Sequence, residues 1–566
     1  MSASTEPAAA APQANSARAG MIAALAASAL LIAACALAWL VSARMTGGAA
    51  PSDALFLADG ARRIAAGQIP HVDFSVPIGA LTLGLYRLAE IGLAPIPPFI
   101  GMHLLAFVLL VPLLLAAGRR LPPLGALLLV GLVGMAALLP FNTIGPGGAT
   151  TDFYASYNRF GAAFSLAYLA FLFRADPASR GMGVLLAYAA LFALGLKVVY
   201  LGVVAAPLAV LFLFDPRWRR PGIVGALLTL AVLGGIEVTT GMVSAYVADL
   251  RAMSAINGGR MGYLAVSFML KNLAACLAVG GFVGVLVLAA LADRQKAGWA
   301  AALRTPLAMA AALAMLILAE SQSTGGHALA GALGLLFAPT LLATSPHSRF
   351  VAARMLLAGG VALAIGGVFA GTVLYKGLGN LLRQEGAPVS PDWATRLLPD
   401  IGVPERRAAT AEARARLYAE AAPVMGAIAA SGTSVLDPND YFVQLAQWKA
   451  AGDALAALGA GGVNLGKVTT LAFVDLFGLA LQAPAPRGLK IVLDPGRTVM
   501  PMTEAEALRY LADVDAVFVP TCGLYQRPGD PVDLMASFAP VLAGHFTAEV
   551  LTPCWTLYRR RAFAGN

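Results

Sequence analysis

The sequence predicts a polytopic α-helical membrane protein with about eleven transmembrane helices, followed by a small α/β extracytoplasmic domain. Of its 566 residues, 59% are hydrophobic and only 12% are charged, whereas a soluble domain carries about 25% charged residues. Apolar runs that could cross a bilayer recur along the chain, and continuous hydrophobicity stops after Tyr375. These observations exclude a soluble enzyme, a disordered chain and a nucleic-acid-binding protein.

The transmembrane helices are predicted from apolar runs that approach the roughly 20 residues needed to cross a bilayer. The first run, Met21–Ala43, follows a polar tail at residues 1–20, which we expect to be cytoplasmic and disordered. It lacks the cleavage site of a signal peptide, so we expect it to be retained. The further runs are Phe99–Ala117, Leu121–Leu139, Phe160–Phe173, Met182–Leu196, Val198–Phe214, Ile223–Val243, Leu273–Leu291, Leu307–Leu318, Ala328–Ala343 and Met355–Tyr375. Together they predict a transmembrane domain at residues 21–376, with outer loops at 44–98 and 141–159.

Basic residues predict which side of the membrane each loop faces. They fall on alternate loops, at Arg119 and Arg120, Arg174 and Arg180, Arg217, Arg219 and Arg220, Arg294, Lys296 and Arg304, and Arg349 and Arg354. Because cytoplasmic loops carry the excess of Lys and Arg, the N-terminus is predicted to lie in the cytoplasm. An odd number of spans then places residues 377–566 on the outer side, so we expect an inner-membrane protein with a periplasmic tail, and the net charge of +9 reflects topology. The opposite loops hold the acids Asp53, Asp59, Asp73, Asp152, Asp249 and Glu320.

Residues 377–566 regain the composition of a soluble domain. Glu405–Ala429 is rich in helix-forming residues. Short strands are predicted at Thr433–Leu436, Leu489–Leu493, Ala516–Val519 and Trp555–Arg559, with helical patterns between some of them, as at Glu504–Leu511. This alternation predicts a small α/β domain. Cys522 and Cys554 both lie in it and could pair in an oxidising exterior, although spacing alone does not decide this.

The first outer loop begins with a predicted amphipathic helix. Ser52 or Asp53 can cap a helix that runs through Ala65 and ends at Gly67. One face collects the apolar positions Leu55, Leu57, Ala58, Ala61, Ile64 and Ala65. We therefore expect the helix to lie at the membrane interface, where Arg62 and Arg63 could anchor to lipid phosphates. On this interpretation Asp53 is a helix cap.

After this helix, Gly67 to Pro70 read G-x-x-P, and Asp73 to Leu81 read D-F-x-x-P-x-G-x-L. With an acid soon after the first span, these features resemble the GT-C superfamily of polytopic membrane glycosyltransferases. Within it, the chain is most similar to lipid-linked-sugar enzymes with a protein-mannosyltransferase or aminoarabinose-transferase type of membrane domain and an exported C-terminal domain. It departs from their pattern where a paired Asp-Glu is Asp53-Ala54 and a Pro-Pro is Val76-Pro77.

The resemblance implies transfer of a sugar from a polyprenyl-phosphate donor to an envelope glycan, lipid or protein acceptor. By position, Asp53 matches the catalytic acid and would be the general base that deprotonates the acceptor hydroxyl. A lipid phosphate is already a good leaving group, so no second acid has to protonate it. Asp59 is the rival for this role, and Asp73 either contacts sugar hydroxyls or holds the loop.

The second outer loop, 141–159, is polar, glycine-rich and aromatic at the entrance to a helix. Asp152, Tyr157, Asn158 and Arg159 suit a sugar pocket, because sugars bind planar polar groups and aromatic faces. The alternative is an interfacial aromatic belt in which Arg159 extends its charged group towards the membrane surface.

Charged residues near the apolar runs provide candidates for a phosphate site. Lys197 separates two runs, and Arg260 follows Asn257-Gly258-Gly259. A cation offsets an anionic leaving group, so both are assigned to the donor phosphate, with a simple turn as the alternative for Lys197. In the tail, Asp494-Pro495-Gly496-Arg497 follows a predicted strand, where it either contacts a ligand or forms a turn.

The competing interpretations are a transporter or flippase of a lipid-linked glycan and a non-catalytic envelope scaffold. Transporters usually contain structural repeats, and the two halves of the chain show no convincing similarity. A scaffold would leave the acidic first outer loop and Lys197 without a role.

No C-x-x-C or H-E-x-x-H spacing assigns a metal site, and a divalent metal is left open as a cofactor. The expected partners are the lipid bilayer, the donor and the acceptor.

Overall fold

The structure is a computed structural model of the full chain. It describes residues 11–41, 45–49, 51–139, 151–153, 155–322, 329–338, 350–372, 375, 388–430, 441–459, 464–522 and 534–561. The predicted strand Thr433–Leu436 and residues 141–150 of the second outer loop lie outside this range.

Helices dominate the first two thirds of the chain. They are α1 (Ala11–Val41), α2 (Pro51–Ala65), α3 (Leu81–Gly92), α4 (Pro98–Gly118), α5 (Pro123–Leu138), α6 (Ser156–Arg174), α7 (Met182–Leu196), α8 (Val199–Phe214), α9 (Arg219–Thr240), α10 (Met242–Asn257), α11 (Met261–Lys271), α12 (Leu273–Ala297), α13 (Trp299–Ser321) and α14 (Val351–Val361). Among the described residues, six helical segments are long and apolar enough to cross a membrane. The prediction of a polytopic helical membrane protein is therefore confirmed in outline, and the count of eleven spans stays a prediction.

The six long segments are Arg18–Leu37, Pro98–Gly118, Pro216–Thr240, Leu273–Ala292, Trp299–Ser321 and Val351–Thr372. Shorter apolar helices, α5, α7 and α8, pack among them. The apolar run predicted at Ala328–Ala343 differs from the others: its described part, Ala330–Phe337, is a 3₁₀-helix. It lies against α6 so closely that a Cβ on Gly334 would come within 2.6 Å of the Leu166 carbonyl oxygen. Glycine at position 334 permits this close packing of the two backbones.

Two helices that the hydropathy pattern does not identify as spans, α10 and α11, connect α9 to α12. The chain leaves α9 through Gly241, which adopts a left-handed conformation with φ of 68°. A 3₁₀ turn at Gly258–Arg260 joins α10 to α11. No residue of either helix is buried, so the pair forms an arm on the surface of the protein.

Short strands join the outer loops to the beginning of the tail. The strands are β1 (Met45–Ala49), β2 (Phe74–Ser75), β3 (Thr151–Asp152), β4 (Pro388–Val389) and β5 (Ile401–Pro404). Four of them form a sheet in the order β3-β1-β5-β4, with β1 parallel to both β3 and β5. The first outer loop, the second outer loop and the tail therefore meet in one sheet.

The rest of the tail combines helices with a second sheet. Its elements are α15 (Asp392–Thr395), α16 (Glu405–Ala430), α17 (Tyr441–Ala457), β6 (Val468–Thr470), α18 (Leu476–Ala480), β7 (Leu489–Lys490), α19 (Glu504–Tyr510), β8 (Ala516–Pro520), α20 (Leu534–His545), β9 (Phe546–Thr552) and β10 (Trp555–Arg560). Among the described residues, the sheet order is β6-β8-β10-β9, and β6–β8 is the parallel pair. Cys522 and Cys554 form a disulfide beside β8 and β10.

One predicted strand of the tail pairs outside that sheet. β7 covers only the first two residues of the predicted strand Leu489–Leu493, and it runs parallel to β2 of the first outer loop, with Phe74 opposite Leu489. The tail therefore packs directly on the first outer loop, and the positions of the candidate site residues depend on this contact.

Candidate functional site

Helix α2 places Asp53 at the junction of the two outer loops. The helix begins at Pro51 and ends at Ala65, close to the predicted bounds, and Gly67 then adopts a φ of 78°. Asp53 is half-buried in the first turn, and its Oδ2 accepts a hydrogen bond from the backbone N–H of Ala155 at 2.7 Å. Because Ala155 immediately precedes α6, the carboxylate lies at the N-termini of two helices. Both helix dipoles favour a negative charge there.

The residues predicted from the second outer loop lie next to Asp53. In the parallel β1–β3 ladder, Ala49 stands opposite Asp152, so the backbone of Asp152 is close to the start of α2. Asn158 and Arg159 are buried in the first turn of α6, and Tyr157 is half-buried. The Nη2 of Arg159 donates to Ser156 Oγ at 3.3 Å. The structure thus brings the two outer loops together at one helix end.

Lys197 also lies near the start of α6, through its contact with Tyr157. It lies in the turn between α7 and α8, outside both helices. Its ammonium group is 5.6 Å from the centre of the Tyr157 ring and donates to the backbone oxygen of Gln322 at 3.3 Å. The charge of Glu320, at the end of α13, also acts on Lys197. We call Tyr157, Asn158, Lys197, Glu320 and Gln322 the Lys197 cluster.

Three polar atoms of the Lys197 cluster are buried without a hydrogen-bond partner among the described residues. They are Asn158 Oδ1, Glu320 Oε1 and Gln322 Nε2. Buried polar groups in folded proteins nearly always have a partner, so a group of exceptions indicates a place for water or a polar ligand. These atoms include acceptors and a donor, which is the combination that carbohydrate hydroxyl groups need.

A second cation, Arg497 of the tail, lies near Lys197. Burial lowers the pKa of Lys197 to about 8, Glu320 opposes this shift, and Arg497 adds to it. Arg497 is held by Asp494 at 3.2 Å, and its backbone oxygen accepts a hydrogen bond from Asn257 at 2.9 Å. Arg260 is exposed in the 3₁₀ turn that follows Asn257. In the sequence, Arg497 was indicated only as part of the predicted turn Asp494-Pro495-Gly496-Arg497. The sequence could not show that Arg497 lies near Lys197 and Asn257.

Asp59, the predicted rival of Asp53, lies in a buried ion-pair network. Its two oxygens are 2.6 Å from Arg62 and 2.8 Å from Arg63. Burial alone would raise the pKa of Asp59, but the charges of Arg63 and Arg62 outweigh burial and hold it below its usual value. The arginines also contact the tail: Arg62 pairs with Asp475 at 3.2 Å, and Arg63 donates to the Pro486 carbonyl at 2.6 Å.

This network corrects the expectation that Arg62 and Arg63 anchor to lipid phosphates. The Arg63 side chain is 1% exposed and that of Arg62 is 12% exposed. The tail covers α2 and supplies acceptors that a single stretch of sequence does not reveal. The expectation of a helix lying freely at the membrane interface fails for the same reason, since Leu55 and Leu57 are buried inside the protein.

Asp73 stabilises the loop that follows α2. Its Oδ2 accepts a hydrogen bond from the Ile69 N–H at 2.8 Å, and its Oδ1 lies 3.5 Å from Arg487 of the tail. Its backbone oxygen also accepts from Gly488 at 2.7 Å. Of the two roles that the sequence left open for Asp73, these contacts favour holding the loop.

Comparisons with known proteins provide little independent information. No protein-family model matches the chain, and no curated protein matches it at a significant level. Among solved structures, the chain is similar to the crystal structure of ArnT from Cupriavidus metallidurans bound to undecaprenyl phosphate. The identity is 13%, the TM-score is 0.40, and the match covers 95% of this chain and 99% of that chain. A TM-score this low carries no argument about activity, so the function of the chain has to be argued from its own residues.

Proposed function

We propose that the protein is a membrane glycosyltransferase that moves a sugar from a polyprenyl-phosphate donor to an envelope glycan, lipid or protein acceptor. The observation that carries the proposal is the arrangement around the start of α6. Asp53 accepts a hydrogen bond from the Ala155 N–H, and the ring of Tyr157, two residues later, lies against Lys197. A carboxylate and a cation are thus both found at one helix end that carries polar and aromatic groups.

In the proposed reaction, Asp53 is the general base. Its carboxylate accepts the proton of the acceptor hydroxyl as that oxygen forms a bond to the anomeric carbon of the sugar. The bond between the anomeric carbon and the phosphate oxygen breaks, and the lipid phosphate leaves with the electron pair. A single carboxylate is sufficient because the phosphate does not have to be protonated.

Lys197 is assigned to the phosphate of the donor, with Arg497 as a second cation and Arg260 at the exposed edge. Their positive charge offsets the negative charge that the phosphate gains as it leaves. The unpartnered atoms of Asn158, Glu320 and Gln322 are assigned to sugar hydroxyl groups, and the Tyr157 ring to a sugar face. Asp59 and Asp73 receive structural roles in this proposal.

The proposed reaction takes place on the periplasmic side of the inner membrane, with the N-terminus in the cytoplasm and residues 377–566 outside. This sidedness depends on the distribution of basic residues over the loops. No metal is given a role in the proposal. Among the described residues, no group of three or more His, Cys, Asp or Glu side chains could hold one.

Substitution of Lys197 tests the assignment of the phosphate. We expect Lys197→Gln to weaken binding of polyprenyl phosphate about 10- to 100-fold, because a hydrogen bond to a charged group is lost. Affinity is measured with the purified protein in nanodiscs. Lys271→Gln removes an exposed lysine at the end of α11 and is the matched control. Equal affinity in the wild type and Lys197→Gln would contradict the assignment.

The lowered pKa of Lys197 predicts a pH dependence of binding. The ammonium form holds the phosphate, and it is lost as the pH rises through about 8. We therefore expect the affinity of the wild type for polyprenyl phosphate to fall about tenfold between pH 7 and pH 9. Lys197→Arg should remove this dependence, since arginine keeps its charge throughout this range. The same pH dependence in both proteins would refute the role of Lys197.

A further inference from the structure

A histidine–aspartate pair, in which His71 is buried and Asp249 is half-buried, joins the first outer loop to α10. Nδ1 of His71 lies 2.8 Å from Oδ2 of Asp249. Ser75 Oγ donates to the other oxygen of Asp249 at 2.8 Å, and the N–H of Val76 donates to Oδ2 at 3.4 Å. Asp249 is therefore held in one orientation by three groups of the same loop, and it in turn orients the imidazole ring.

This orientation determines what the other ring nitrogen of His71 can do. A carboxylate accepts hydrogen bonds, so Nδ1 of a neutral imidazole carries the proton and Nε2 presents a lone pair. Nε2 is buried, and it has no hydrogen-bond partner among the described residues. A ring fixed by a carboxylate at one nitrogen, with no partner at the other, is typical of histidines that contact a substrate.

The backbone at His71 is also unusual. Its φ is 69°, in the left-handed region that residues other than glycine seldom adopt. The strained turn is fixed by a hydrogen bond from the His71 N–H to the Phe74 carbonyl at 2.8 Å. Strain of this kind is concentrated at ligand-binding sites.

His71 lies beside the turn that carries Lys197. Its ring centre is 4.4 Å from that of Tyr246, whose hydroxyl lies near the backbone of Val198, the residue after Lys197. The same loop also contacts this turn directly, since the Gly79 N–H donates to the Leu196 carbonyl at 3.0 Å. Through these contacts the loop of His71 packs on the turn that carries Lys197.

We infer that Nε2 of His71 accepts a hydrogen bond from a hydroxyl group of the donor sugar, an inference that rests on the proposed function. A lone pair on Nε2 suits a hydroxyl donor and does not suit an ionised phosphate. His71 does not duplicate Asp53: Asp53 takes the proton of the acceptor hydroxyl, and His71 accepts a hydrogen bond from a hydroxyl of the donor sugar. His71 is thus a residue that recognises the sugar.

His71→Asn tests this inference. Asparagine tolerates the left-handed backbone and can still donate to Asp249, but it lacks an acceptor at the position of Nε2. Affinities are measured for polyprenyl phosphate carrying glucose, mannose or arabinose, and for polyprenyl phosphate without a sugar. We expect His71→Asn to weaken binding of the preferred sugar-bearing lipid about three- to tenfold and to leave binding of the bare lipid unchanged. Val72→Asn, at the exposed neighbouring residue of the same loop, should bind all of these lipids as the wild type does.

Equal affinities in the wild type and His71→Asn, or an equal loss for lipids with and without sugar, would overturn the inference. A wild type that binds no sugar-bearing lipid more tightly than the bare lipid would overturn it too. If His71→Asn does not fold, His71→Gly, which also permits the left-handed backbone, is used in the same comparison. The comparison measures binding alone, so it decides the role of His71 even if a separate turnover assay finds no sugar transfer and thereby refutes the proposed function.

Discussion

Asp53→Asn is expected to lower kcat for sugar transfer about 100- to 10,000-fold, the usual contribution of a general base. The amide cannot take the proton of the acceptor hydroxyl, but its oxygen can still accept the hydrogen bond that Asp53 receives from Ala155 at 2.7 Å. The junction of α2 and α6 should therefore survive the substitution. Binding of polyprenyl phosphate should stay within about twofold of the wild type, because the phosphate is assigned to Lys197.

The measurement is turnover of a polyprenyl-phosphate sugar by purified protein, with lipid affinity determined in parallel. Asp453→Asn is the matched control, because Asp453 is an exposed tail residue that pairs with Lys449. It should transfer sugar at the rate of the wild type. If Asp53→Asn keeps more than about a third of the wild-type rate, Asp53 is not the base and the assignment is wrong.

Asp59→Asn is expected to have the largest effect on stability. It removes the carboxylate that lies between Arg62 and Arg63 and leaves two buried guanidinium groups short of a counter-charge. Breaking a buried ion pair by removing one partner costs about 3–5 kcal/mol of the free energy of unfolding. Because both arginines also contact the tail, the loss should appear first as separation of the tail from the first outer loop.

Thermal unfolding and limited proteolysis in detergent measure this effect. The midpoint of unfolding should fall clearly for Asp59→Asn, and cleavage between the transmembrane part and the tail should become faster. Asp453→Asn breaks an exposed pair and should cost less than about 1 kcal/mol. An unfolding midpoint equal to that of the wild type would show that the network is not what attaches the tail.

Local patterns were enough to predict many of the helices. The bounds of α7 are those of the predicted run Met182–Leu196, and α16 extends the predicted Glu405–Ala429 by one residue. Hydropathy and helix propensity act within a few turns, so a single stretch of sequence contains them. The break at Lys197 was likewise visible as one charge between two apolar runs.

Contacts between distant parts of the chain could not be predicted in this way. Arg62 and Asp475 are 413 residues apart, and His71 and Asp249 are 178 residues apart. Each residue alone looked like an ordinary surface charge or a dispersed histidine. Only the packing of the tail on the first outer loop, and of α10 on the same loop, gives them their partners. The sequence indicated which loops carry polar residues, but not which of those residues meet.

Release of free polyprenyl phosphate is the direct outcome of the proposed sugar transfer. Purified wild-type protein in nanodiscs is incubated with polyprenyl phosphate carrying glucose, mannose or arabinose and with an envelope extract as acceptor, and the lipids are analysed by mass spectrometry. We expect one donor to be converted to polyprenyl phosphate, with the sugar recovered on the acceptor, and Asp53→Asn to abolish this conversion. Donors that bind to the protein and remain intact would refute sugar transfer and favour a transporter or a binding protein.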